Sequence, residues 1–234
     1  MLKLIRLEWK KNHIVVYIRN ACILAALLGL FIYALAFWGI ANDPDGTLDA
    51  AEGMETISSP VELFTSMSFL VFTCVMLASF IVSAYKNKTM QLMFSYPVKR
   101  QKILASQMLA VWIFNFTALV LTKLFIYGVI AIGGTRMTSS FAIDFDMGSL
   151  GFYIQLFSKS AVIVSMSFVA LFVGLTMKSP VATVVSSFLL ILLTQANIGD
   201  YSLSGSAAVP VVLVVLSLVF AGLSVWRVET KDLM

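Results

Sequence analysis

The chain has 234 residues, 60% of them hydrophobic and 12% charged, with a net charge of +4. A soluble domain carries about twice that charged fraction, so a water-soluble globular fold is excluded. Apolar runs of about 20 residues, each enough to cross a bilayer as a helix, recur along the chain, and the composition reads as an all-α polytopic membrane protein.

Residues 1–19 place Leu2, Ile5 and Trp9 on one helical stripe and Lys3, Arg6 and Lys10 on the next. This pattern predicts an amphipathic helix in the headgroup layer, where each basic residue adds about 1 kcal/mol against anionic lipid. No small-residue cleavage site follows, so the first apolar segment is expected to be a retained span. Six spans are expected, at about 21–40, 63–84, 103–130, 154–177, 181–196 and 207–226. Together with the interfacial helix they make one transmembrane domain over residues 1–234. Cys22 and Cys74 both fall inside apolar segments and suggest neither a disulfide framework nor a metal site.

Between the first two spans, Asp43, Asp45, Asp49, Glu52, Glu55 and Glu62 occur without a basic residue. Ser59-Pro60-Val61-Glu62 has the form of a capping box with proline at the first helical position, so the second span should begin there. The connection after it is different in kind. Residues 84–104 carry Lys86, Lys88, Lys99, Arg100 and Lys102 with no acid, and hold Met90, Leu92, Met93 and Phe94 between the two basic clusters. Pro97 removes a backbone donor and biases Tyr96 away from helix, which sets a break in the segment. An ordinary cytoplasmic loop explains the cations. Four large apolar residues call for something that buries them, and this points to a docking element.

Further on, the polar connection at 133–153 contains Asp144 and Asp146. Lys178-Ser179-Pro180 reads as a tight turn with serine as the cap of the next helix. Six spans leave both termini on one side. That side holds thirteen of the sixteen Lys and Arg residues, whereas nine of the twelve acids fall on the other. The basic count places both termini in the cytoplasm of a multi-pass cell-membrane protein.

Lys123 and Lys159 lie within spans, and each is a candidate for lining a substrate path. A mid-bilayer cation costs about 2.5–3.5 kcal/mol on insertion scales. Both are also close enough to a span end to snorkel to the outer interface. Thr183, Ser186, Ser187, Thr194 and Gln195 make the fifth span the most polar, a pattern of helix packing. No acid occupies the middle of a span, which argues against proton- or sodium-coupled transport. With one histidine and no GxxxxGK[ST] loop, the chain offers no catalytic set, metal site or phosphate cradle, and is expected not to be an enzyme.

Thr89, Leu92-Met93, Ser95-Tyr96-Pro97-Val98-Lys99-Arg100 and Ile103-Leu104-Ala105-Ser106 together resemble the cytoplasmic pattern of permease subunits of type-2 ATP-binding-cassette exporters. In that pattern a Thr and a Leu pair precede a Pro-Val-x-Arg turn and the aliphatic start of the third span. An acid and a glycine that usually precede the Thr are replaced here by Lys86, Asn87 and Lys88, and a frequent lysine is replaced by Gln107. The resemblance implies that the loop between spans two and three seats in a groove of a separate ATPase subunit. Thr89, Met90, Leu92, Met93, Phe94, Tyr96, Pro97, Lys99 and Arg100 would then form the coupling element. It also implies a second permease as partner, ATP and magnesium held by the ATPase and no cofactor in this chain. The small size resembles bacterial exporters of amphipathic or antimicrobial peptides. Two other readings remain at this stage. One is the substrate-binding membrane component of an energy-coupling-factor importer, the other a non-transporting immunity or sensor protein.

Overall fold

The computed structural model describes residues 2–12, 14–38, 58–86, 100–134, 146–195, 197–198, 201–202 and 208–230. Helices make up nearly all of this. α1 is Leu2–Lys11, α2 is Ile14–Trp38 and α3 is Ser58–Leu77, the last continued by a π-helical turn, Ala78–Val82, and a short α4, Ser83–Lys86. α5 is Arg100–Gly134, α6 is Leu150–Met177, α7 is Pro180–Gln195 and α8 is Ala208–Thr230. A two-residue antiparallel ladder pairs Asn197 with Ser202 and Ile198 with Tyr201.

Among the described residues, four stretches are long and apolar enough to cross a bilayer: Ile14–Leu35, Ser58–Val82, Gln101–Ile132 and Leu150–Met177. Pro180–Leu192 and Val212–Trp226 are shorter apolar helices. Four long apolar helices of this kind fit a membrane-embedded protein. On α2 the apolar stretch is 11% buried, and Ile23, Leu27 and Leu30 face outward, a surface suited to hydrocarbon rather than water.

Helix boundaries follow local chemistry. α1 stops at Lys11 and α2 is already helical from Ile14, so Tyr17 and Arg19 lie on α2 and not on the interfacial helix. α3 opens at Ser58 with Pro60 as its third residue, where a missing N–H costs nothing because the first-turn donors have no helical acceptor. α6 ends in a left-handed residue, Lys178 at φ 50°, and the Ser179 N–H reaches back to the Gly174 carbonyl at 3.2 Å. This six-to-one bond is a Schellman cap, in which a lysine holds the position glycine usually takes. Pro180 then begins α7 with the φ its ring requires.

The chain divides into two compact units. The first comprises Met1–Ile14, Ser68–Phe116 and Lys159–Met234. Its apolar centre is Leu70 and Cys74 of α3, Met166 and Ala170 of α6 and Leu190 of α7, with Leu213 of α8 packed against them. Two residues of the α1 stripe anticipated from sequence turn to protein: Ile5 is buried, and the Trp9 indole N–H donates to the Ala110 carbonyl of α5 at 3.1 Å. Arg6, Leu7 and Lys10 remain outward.

The π turn belongs to this unit. Ser83 N–H bonds Ala78 five residues back, and Ala78, Phe80, Ile81 and Val82 are buried. One residue added to a helical turn rotates everything beyond it by about 100°, so the π turn sets the direction in which α4 delivers the chain to the basic segment. The turn packs against α7. Close by, a Cβ placed on Gly174 of α6 would fall on the Thr183 hydroxyl of α7 and lie 3.3 Å from Val82 Cγ2. Gly174 therefore lets α6 and α7 approach backbone to side chain.

The second unit comprises Val15–Met67 and Thr117–Ser158. Gly29 of α2 faces Phe125 of α5, whose Cε1 is 3.2 Å from where a Cβ would stand. Edge-to-face ring pairs join Phe31 to Phe64 at 5.0 Å and Tyr127 to Phe152 at 5.1 Å.

Candidate functional site

Within the second unit, Lys123 of α5 donates to Glu62 of α3 with Nζ 2.8 Å from Oε2. The lysine side chain is 0% exposed and the glutamate side chain 21%. Along α5 the neighbours of Lys123 on the same face are Leu119, Ile126 and Tyr127, all buried. An ammonium in such a stripe is costly without an opposite charge, and Glu62 supplies that charge across the helix pair.

Sequence position alone groups Glu62 with the acidic connection before the second span. In the fold it lies inside α3, with an oxygen directed at Lys123. Lys123, read from sequence as a candidate for the substrate path, has its ammonium bound to a carboxylate of the protein itself. Lys159, the other such candidate, is exposed on α6.

The α3 face around Glu62 is polar. Thr65 and Ser66, three and four positions on, share its side of the helix. Thr65 is fully buried and its hydroxyl donates to the Val61 carbonyl at 2.5 Å. The Ser66 hydroxyl donates to the Glu62 carbonyl at 2.5 Å. On α5, Thr122 donates to the Ala118 carbonyl at 2.8 Å. Each hydroxyl is satisfied by its own helix, so none of them ties α3 to α5, a task left to the ion pair and to packing.

A second polar set lies in the first unit. Gln107 of α5 is fully buried, and neither its amide nitrogen nor its amide oxygen has a hydrogen-bond partner. Asn115 donates to the Val111 carbonyl at 3.0 Å and to Met76 Sδ at 3.3 Å, while its Oδ1 has no partner. Thr183 Oγ1 is likewise without one. Buried amides with unmet donors are destabilising, by about 1–3 kcal/mol each in mutational data. Sequence reasoning singled out neither Gln107 nor Asn115 as buried, since a lone amide on an apolar helix leaves no periodic signal.

Of the coupling residues expected from the resemblance, Thr89, Met90, Leu92, Met93, Phe94, Tyr96, Pro97 and Lys99 lie outside the described residues. Arg100 is the first residue of α5. The segment is bounded by α4, ending at Lys86, and by α5, where Lys102 is exposed and Ile103 and Leu104 are buried. Among the described residues, no group of three His, Cys, Asp or Glu side chains is placed to hold a metal ion.

The chain is similar to the "Uncharacterized protein YcbO" of Bacillus subtilis (strain 168), at 26% identity over 239 residues covering 99% of this chain and 100% of that protein. No family model and no solved structure matches the chain.

Proposed function

We propose that this chain is the permease subunit of an ATP-driven exporter of the type-2 ATP-binding-cassette class. α2, α3 with its π turn and α4, α5, α6, α7 and α8 would be its six spans, with both termini in the cytoplasm. The 16 residues of α7 rise about 24 Å, less than a hydrocarbon core of about 30 Å. Such a helix is accommodated by local thinning or by its flanking residues. Two copies, or one copy and a paralogue, would flank the path. ATP and magnesium would bind separate cytoplasmic ATPase subunits, and the cargo class proposed is an amphipathic peptide.

One observation carries this reading. The segment rich in both cations and large apolar residues joins the two long apolar helices ending at Lys86 and starting at Arg100. With both helices as spans, this connection would lie at the membrane surface. Five cations without an acid favour the cytoplasmic surface, and Met90, Leu92, Met93 and Phe94 favour a partner that covers them. The similarity to the Bacillus protein spans nearly the whole chain, so it takes in this segment along with the helices.

The reading is tested by purifying tagged protein from native membranes beside a variant carrying M90S, L92S and F94S. A cytoplasmic ATPase is expected to co-purify with the parent and to be lost from the variant. Absence of an ATPase from both would remove the coupling argument and favour a non-transporting membrane protein.

A further inference from the structure

The α1 helix is two-sided in the fold. Ile5 and Glu8 are buried, and Trp9 is hydrogen-bonded to α5 through the Ala110 carbonyl. Arg6, Leu7, Lys10 and Lys11 are exposed. At about 100° per residue these four share one arc of the helix, opposite Ile5 and Trp9. An amphipathic helix resting on a bilayer turns its apolar stripe to the acyl chains. Here the protein itself takes Ile5 and Trp9, and α1 offers outward three cations around one leucine, Leu7 at 62% exposure.

The charge of this face depends as much on what is withdrawn from it. Glu8 is the only acid in α1. Its side chain is 10% exposed, against 45% for Lys11, whose Nζ stands 3.9 Å from the carboxylate. Asn12 Nδ2 lies 3.4 Å from the Glu8 Oε2 and 3.1 Å from the Glu8 carbonyl. The acid is thus turned away from the surface that Arg6 and Lys10 form. Three positions after Lys11 begins Ile14–Leu35, long and apolar enough to cross a bilayer, with Val15, Val16 and Ile18 exposed. With that helix in the membrane, so short a connection holds α1 at the membrane surface.

We propose that the face of α1 formed by Arg6, Leu7, Lys10 and Lys11 binds anionic lipid headgroups. The Arg6 guanidinium matches a lipid phosphate with paired N–H donors, and the two lysines add point charges. Leu7 is placed to enter the acyl boundary beside them. A zwitterionic headgroup brings its own ammonium against the same cations and is disfavoured. The surface requires a membrane-embedded chain and stands whether or not an ATPase binds the basic segment.

The test reconstitutes the full chain in phosphatidylcholine vesicles containing a trace of phosphatidylglycerol with a photoactivatable headgroup. Crosslinks to α1 peptides are quantified by mass spectrometry. The parent is expected to be labelled on α1, with unlabelled phosphatidylglycerol competing and added phosphatidylcholine or free glycerol phosphate not competing. R6Q with K10Q and K11Q is expected to lower α1 labelling about a hundredfold, at about fivefold per cation. The charge-conserving variant R6K with K10R and K11R should keep it. So should K159Q with K178Q, which removes two exposed cations elsewhere in the same unit. If the triple glutamine variant does not fold, K10Q alone serves, with a loss of about fivefold. Parental labelling in the glutamine variants, or an equal loss in K159Q with K178Q, would overturn the proposal. Equal competition by phosphatidylcholine would remove the preference for anionic lipid, and displacement by glycerol phosphate would replace the lipid with a soluble anion; either result overturns it.

Discussion

Glu62→Leu is expected to lower the thermal midpoint of the detergent-purified protein by roughly 6–12 °C, the shift that about 3 kcal/mol produces in a chain of this size. The change takes the carboxylate from an ammonium that is 0% exposed at the centre of an apolar stripe. Breaking such a pair leaves a charge in a medium that solvates it poorly. Lys123→Met should cost less, because the Glu62 side chain left behind is 21% exposed whereas the Lys123 side chain is wholly enclosed. The double variant should return close to the parental midpoint, since apolar residues of similar volume pack where the charges were. The pattern across the cycle is the informative quantity. Single variants with parental midpoints would mean that the pair contributes nothing, whereas a double variant as unstable as E62L would mean that the space, and not the charge, was at stake.

Gly174→Ala is expected to destabilise by about 1–3 kcal/mol, the usual range for overpacking, although alanine gains about 1 kcal/mol of helix propensity over glycine. The added Cβ would fall on the Thr183 hydroxyl, 3.0 Å from Thr183 Cβ and 3.3 Å from Val82 Cγ2. A rotating hydroxyl could give way, but threonine is stiff at χ1 in a helix, and its Cβ moves only with the backbone of α7. The α6–α7 hairpin must therefore spread. Thr183→Ala alone should be close to neutral, because the hydroxyl it removes is buried and has no hydrogen-bond partner. Combined with G174A it should recover part of the loss. Thermal midpoints of the four proteins decide between lack of space and lack of backbone freedom: no recovery in the double variant would point to the latter.

How much of this was legible depended on whether the signal was local. The apolar runs that become α2, α3, α5 and α6 are visible in any window of the sequence, and so is the Ser179-Pro180 start of α7. The apolar stripe of α1 was legible too, but its destination was not: Trp9 bonds a carbonyl 101 positions away, at Ala110. The Lys123–Glu62 pair is a stronger case. The two are 61 residues apart, and Glu62 lies in the first turns of α3 while Lys123 stands about three turns short of the end of α5. Neither local sequence marks the other residue as its partner, and only the packing of α3 beside α5 brings the two within 2.8 Å. The π turn at Ala78–Val82 had no such signal, since Ala-Ser-Phe-Ile-Val is an ordinary apolar stretch whose extra residue is fixed by packing against α7. Gln107 could be read only as a departure from the family pattern, and its complete burial depends on tertiary packing.

The central proposal, that the basic segment docks an ATPase, is tested most directly in living cells by a photo-crosslinking amino acid at Phe94. Leu27, 61% exposed on α2, provides a lipid-facing control. The expected result is a discrete protein adduct at Phe94 containing a cytoplasmic ATPase, absent at Leu27. No protein adduct at Phe94, or the same adducts at both positions, would contradict it.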